Sequence, residues 1–221
     1  MEHTTQPERK TNADNWVSNT FMIKCVFFDF DDVLRNWDYE LDGLEENFGI
    51  PLDVFREIAF APENVGPAIR GEISDEEWRN GVCQKLVERF PQLDAVGAWK
   101  VWSTRTGEIV PEVLEIITAC KSNVPIGMMT NATSKLNYDL KIHGIDDLFD
   151  YVVNASEIGS IKPEPAIFLH ALKLAGIEPY EAFFTDDKAE NVEAAVQLGY
   201  IGHVFENAAG LRAALTDAGV L

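Results

Sequence analysis

"CVFFDFDDVL", residues 25–34, joins a continuous apolar run to three carboxylates, Asp29, Asp31 and Asp32. The run is aromatic and β-branched with no polar alternation, which predicts a strand buried on both faces, as in parallel sheets. Ligands of open parallel sheets bind outside the carboxyl ends of the strands, and Asp29 and Asp31 stand at such an end. Side-chain alternation points both the same way. Two carboxylates at close quarters do not both stay ionised without a cation or a shifted pKa, and a divalent metal ion is the simplest answer.

Four more short apolar runs follow: "VPIGMM" (124–129), "YVV" (151–153), "EAFF" (181–184) and "IGHVF" (201–205). Helix patterns lie between them. Ile167, Phe168, Ala171, Leu172 and Ala175 recur at helical spacing before Gly176, and Val192, Ala195 and Val196 do so before Gly199. Leu136 and Leu140 mark a third helix that stops at Gly144. Strand–helix alternation with continuously apolar strands predicts an α/β fold, a parallel sheet with helices on both faces. Residues 35–108 break the pattern, with helix-like segments and no convincing strand. That interval is too long for one crossover and is read as an inserted all-helical subdomain. The expected organisation is a flexible leader over 1–21, a core domain from 22–34 and 109–221, and a helical insertion over 35–108.

The chain has 221 residues, with 18 Lys and Arg against 37 Asp and Glu, a formal net charge of −19. Such a balance repels polyanions and argues against nucleic-acid and anionic-membrane partners, while a local site can still take a small anionic substrate. Cys25, Cys83 and Cys120 are widely separated and set among apolar residues, which suggests no disulfide framework and a reducing, cytoplasmic setting. No apolar run approaches the roughly 18 residues of a membrane span, and residues 1–21 lack a signal peptide's apolar segment. The expectation is a soluble protein.

Three other predicted strand ends carry chemistry. "MMTNAT" ends its strand in Thr130 and Asn131, a hydroxyl and backbone N–H groups at an expected helix start, suited to an anionic oxygen. "SIKPEPAIF" holds Lys162 before Pro163, with Pro165 opening the next helix. "FFTDDKAENVEAA" delivers Asp186 and Asp187. Taken singly, these are ordinary turn, cap and surface residues. Their order, each at a strand end, is the informative feature.

With 101, 32 and 24 residues between Asp29, Thr130, Lys162 and Asp186, this order resembles the haloacid dehalogenase-like superfamily of hydrolases, in the subfamily with a helical cap inserted after the first strand. The resemblance covers residues 22 to about 217. It implies a Rossmann-like core, Mg²⁺ and an aspartyl-phosphate mechanism acting on a small phosphorylated metabolite, with a sugar phosphate as the first guess. Asp29 would be the nucleophile and Asp31 the general acid and base, while Thr130 and the Asn131 N–H hold a phosphoryl oxygen and Lys162 offsets charge. The metal would be bound by Asp29, the Asp31 backbone carbonyl and Asp187, with Asp186 either a ligand or the group that orients Lys162. Asn191 is a plausible supporting residue. Asp32 stands where the family frequently has glycine and is read as turn structure.

A phosphomutase of the β-phosphoglucomutase type shares every motif. A 2-haloacid dehalogenase needs no metal and no acid at position 31, so Asp31 and the Asp186/Asp187 pair count against it. Receiver-like modules are shorter and lack the insertion, and a catalytically silent binding relative would have lost a motif residue. In the insertion, Arg70 is read as a surface arginine that could reach a substrate's distal group, and Trp78, Trp99 and Trp102 as internal packing. Trp37 and Asn36 lie on the expected hinge. The four histidines show no ligand spacing.

Overall fold

A computed structural model describes residues 22–37 and 43–221, so the expected leader over 1–21 lies outside the described residues. Strand β1 (Cys25–Phe28) is the centre of a five-stranded sheet with β4 (Ile126–Thr130), β5 (Tyr151–Asn154), β6 (Ala182–Asp186) and β7 (Ile201–Val204). The spatial order is β5-β4-β1-β6-β7 and every pairing is parallel. All five strands coincide with the apolar runs of the sequence.

The alternation along β1 shows why the run had to be apolar throughout. Val26 and Phe28 enter one core with Ile126, Met128 and Phe183, while Cys25 and Phe27 enter the opposite one with Met129, Ala182 and Phe184. Helices α6 (Pro111–Lys121), α7 (Leu136–Ile142) and α11 (Ala208–Asp217) cover the first face. Helices α9 (Pro165–Ala175) and α10 (Ala189–Gln197) cover the second, and the short α8 (Ala155–Ile158) follows β5 directly. Neither face of β1 meets water, so no polar side chain is tolerated on it. Gly127 is required by this packing, since a Cβ there would stand 2.4 Å from the ring of Phe27, its partner in the ladder.

Between β1 and α6 lie α1 (Leu44–Phe48), α2 (Leu52–Phe60), α3 (Pro62–Ile69), α4 (Asp75–Arg89) and α5 (Ala95–Ser103). They pack about a core of their own, with Leu44, Phe55, Val82 and Leu86 around Trp78 and Trp102. Trp78 and Trp102 meet edge to face at 5.4 Å, and Phe55 meets Trp102 at 5.3 Å, a favoured aromatic geometry. Ser74 and Glu77 form a reciprocal capping box at the start of α4.

Two features of this interval differ from the sequence reading. A two-stranded antiparallel ribbon, β2 (Arg35–Asn36) with β3 (Glu108–Ile109), joins the helical group to the sheet. Two-residue strands carry no periodicity to detect. Helix α3, "PENVGPAI", forms with Gly66 and Pro67 inside it; Pro62 stands at its N-terminus, where the missing N–H costs nothing.

The helical group touches the sheet-bearing part at defined points. The Arg70 guanidinium grips Glu164 at 2.5 and 3.3 Å. The Asp75 carboxylate accepts from the Thr133 hydroxyl at 2.7 Å. Gly71, at φ +72°, lies so close to α8 that a Cβ would stand 1.9 Å from the Ser156 carbonyl oxygen. Among the described residues no helix is long and apolar enough to cross a membrane, and the three cysteines are free.

Candidate active site

The carboxyl ends of β1, β4 and β6 and the loop between α8 and α9 converge on one buried cluster. Lys162 is its hub. Its Nζ lies 2.7 Å from Asp29 Oδ1 and 2.6 Å from Asp186 Oδ2, and donates to the Met129 carbonyl at 2.8 Å. A lysine this deep, 4% exposed, is held charged only by partners of this kind. Asn131 fixes the loop that carries it, accepting from the Lys162 N–H at 2.7 Å and donating to the Lys162 carbonyl at 2.9 Å.

Asp29 accepts on Oδ1 from the Phe30 N–H as well, at 2.7 Å, which leaves Oδ2 without a donor among the described residues. Asp186 is fully buried. Its Oδ1 accepts from the Lys188 N–H and the Asn191 amide, both at 2.9 Å, and its Oδ2 holds Lys162. Asp187 is less buried, and one oxygen from each of Asp29, Asp186 and Asp187 lies within 4.8 Å of the others. Thr130 is buried at the end of β4, its hydroxyl unclaimed by the described residues.

The electrostatics follow from counting charges. The buried Lys162 ammonium pairs with two of the three carboxylates, and Lys188 acts on the third, Asp187. Burial pushes the Asp29 carboxyl up to about 8, against the pull of Lys162, with Asp186 adding to the rise. Burial also raises Asp187, and Asp186 raises it further. For Asp186 burial acts upward but Lys162 prevails and holds it below the usual carboxylate range. Burial acts against the Lys162 ammonium, yet Asp29 and Asp186 keep its pKa raised. The cluster therefore lacks positive charge, and its donors are all oxygen, which fits a hard divalent cation such as Mg²⁺.

Asp31 takes different partners from Asp29. Its Oδ1 accepts from Arg35 Nε at 2.7 Å and Trp37 Nε1 at 2.8 Å, and its carboxylate is outside the three-carboxylate group. The common face expected for Asp29 and Asp31 is thus only partly realised, because the chain leaves β1 at Phe28 and turns. Asp32 makes that turn, at φ +62° with its N–H on the Arg35 carbonyl at 2.7 Å. An aspartate tolerates this left-handed conformation better than most residues, glycine best of all.

The expected helix start needs correction. Thr130 and Asn131 do not start a helix, since α7 begins at Leu136, and the Asn131 side chain forms a clamp on Lys162. Arg70, read as a surface arginine, is part-exposed and pairs with Glu164. The sequence reading also passed over Arg35, which is 3% exposed. Its guanidinium binds Asp31 and, at 2.8 Å, Asp139 Oδ2, and it lies 4.1 Å from the Phe30 ring centroid and 4.4 Å from that of Trp37. Lys135 completes this second cluster by pairing with Asp139. An arginine directly after the apolar pair Val33 and Leu34 that follows the acids was the available signal.

A cavity of about 610 Å³ opens beside Asp31 and Asn131 and extends between the sheet-bearing part and the helices α2–α5.

The chain is similar to a phosphoglycolate phosphatase of Chromobacterium violaceum, 26% identical over 212 residues that cover 88% of this chain and 91% of that protein. It is 37% identical over 166 residues to a pyrimidine 5'-nucleotidase of Escherichia coli, covering 68% of this chain and 71% of that one. It spans only 18% of the length of the chloroplastic protein suppressor of quenching 1 of Arabidopsis thaliana, and 25% of a flavin mononucleotide hydrolase of the same plant. An enzyme of Bacteroides thetaiotaomicron, crystallised with magnesium and inorganic phosphate, superposes with a TM-score of 0.64 at 20% identity, over 83% of this chain and 94% of that one. The strand-end cluster is therefore set in a known hydrolase fold, and with the model of the haloacid dehalogenase-like hydrolases matched over residues 23–199, this chain belongs to that family.

Proposed function

We propose that the protein is a Mg²⁺-dependent phosphatase that hydrolyses a small phosphorylated metabolite through a phosphoryl group carried on Asp29, with the helices α1–α5 as its cap. The observation that carries this reading is the Lys162 cluster, where three carboxylates gather at strand ends and one ammonium lies within 2.7 Å of two of them. The magnesium complex of the Bacteroides enzyme and the phosphatase activities named for the relatives support it.

Asp29 Oδ2 attacks phosphorus in line, and the bond from phosphorus to the ester oxygen breaks. Asp31 gives its proton to that oxygen, then takes one from the water that attacks the acyl phosphate, which returns Asp29 and releases phosphate. Arg35 and Trp37 occupy Oδ1 of Asp31, so Oδ2 is the oxygen left for proton transfer. Lys162 and the Thr130 hydroxyl offset the phosphoryl charge, and Asn131 holds the Lys162 loop in place. Asp29, Asp187 and the Asp31 carbonyl would hold Mg²⁺, with Asp186 orienting Lys162; when bound, the ion neutralises the carboxylates and the phosphoryl oxygens. Free cysteines suit the reducing, cytoplasmic setting that belongs to this proposal.

The test is phosphate release from acetyl phosphate or p-nitrophenyl phosphate. Turnover with Mg²⁺, loss with a chelator, and a fall of about a thousandfold or more in Asp29→Asn are expected. Metal-independent turnover, or an unaffected Asp29→Asn, overturns the mechanism.

A further inference from the structure

Resting on the phosphatase reading, we propose that the face of α2 presenting Arg56 and Phe60 selects a phosphate monoester whose leaving group carries a planar ring with carbonyl acceptors. The leaving oxygen takes its proton from Asp31, so the leaving group extends from the Asp31 side of the phosphorus. Asp31 and Asn131 line one end of the cavity, and Arg56 and Phe60 line its helical wall. The cavity is therefore the room of the leaving group.

Its size and chemistry favour a ring-bearing group over a short aliphatic one. About 610 Å³ lies in the range that encloses a ligand of several rings' size, and a two-carbon group would leave most of it to water. Phe60 is 48% exposed although it lies in a cluster of rings, 6.1 Å from Trp78 and, edge to face, 6.3 Å from Trp102. An open aromatic surface backed by buried tryptophans offers a flat, rigid wall for stacking.

The cations of the wall divide into committed and free. The Arg79 guanidinium binds Asp75 at 2.6 Å and lies over the Trp102 ring at 4.7 Å. Arg56 stands one helical turn before Phe60 and makes no hydrogen bond or ion pair with the described residues. Five N–H donors on a planar group, beside an unfilled ring face, match the carbonyl edge of a heteroaromatic ring stacked on Phe60. A bare sugar phosphate lacks the planar ring that would stack on Phe60.

Uridine 5'-monophosphate and ribose 5-phosphate share the sugar and the ester and differ in the ring, so their ratio of kcat/KM reads this contact alone. The wild type should favour the nucleotide by about tenfold or more, as expected for one stacked base. Phe60→Ala, Phe60→Leu and Arg56→Ala should each collapse that ratio at least severalfold; Phe60→Leu keeps apolar bulk, and circular dichroism checks the fold of all three. Equal values for the two esters in the wild type, or a ratio that none of the variants moves, overturns the inference. Acetyl phosphate separates the two readings: if it is hydrolysed while the ratio stays flat, only the ring selection fails, and if it is not hydrolysed with Mg²⁺, the phosphatase reading itself fails.

Discussion

Asp29 and Asp31 are two residues apart, yet each belongs to a different ion cluster. Around Lys162, one ammonium pairs with Asp29 and Asp186, while Asp187 lies beside them with Lys188 acting on it. Around Arg35, two cations, Arg35 and Lys135, serve two carboxylates, Asp31 and Asp139. The second cluster balances its own charge and ties Asp31 to the β2–β3 ribbon, where Arg35 also meets the Thr106 carbonyl at 3.3 Å. The first cannot balance itself. A set of carboxylates short of positive charge is built to bind a cation, whereas a balanced set is built to hold its members still.

The sharpest way to break this comparison is to remove each cation in turn. Lys162→Met leaves Asp29 and Asp186 buried against one another, and should cost about 3–5 kcal/mol in urea denaturation. Added Mg²⁺ should recover a large part of that loss, because the ion takes up the charge that Lys162 offset. Arg35→Met should cost less, about 2 kcal/mol, since Lys135 still faces Asp139 and Asp31 keeps the Trp37 N–H. Mg²⁺ should not recover it. Equal recovery in both variants, or in neither, would remove the distinction between a charge-deficient and a self-sufficient cluster.

The smallest effect belongs to the exposed tie between α3 and the loop before α9. The Arg70 guanidinium, with help from the Ser160 hydroxyl, holds the Glu164 carboxyl down to about 2. A carboxylate with a depressed native pKa stabilises the fold above its unfolded value and loses that contribution as pH falls toward the native one. The thermal midpoint of Arg70→Ala should therefore lie slightly below that of the wild type at neutral pH, and the gap should close between about pH 4.5 and 2. A gap that persists at pH 2 would show that Arg70 acts through packing rather than charge.

What could be read in advance divides along the same line. Strands β1, β4 and β6 were legible because burial on both faces selects apolar side chains, a constraint written in consecutive residues, whereas the edge strands β5 and β7 are only partly buried. Asp29, Asp186 and Asp187 were legible because they stand at the ends of such runs, where a parallel sheet collects its ligands; Lys162, expected at a strand end, lies instead in the loop after α8 and was legible only by its place in the motif order. Arg35 and Asp139 were not, being 104 residues apart and each unremarkable in its own segment. The helix start expected at Asn131 was not there to be read, since four residues separate it from α7 and its side-chain amide faces Lys162.

The amino-acid pattern is sufficient for the parallel sheet and for the acids and the lysine at its edge, because both follow from local rules: period, apolarity and strand ends. Folding alone decides that Asp31 turns to Arg35 while Asp29 turns to Lys162, and that Arg56 and Phe60 face a cavity over the site. Partners brought together across the chain leave no periodic trace in it, and charge balance is a property of the assembled cluster rather than of any residue within it.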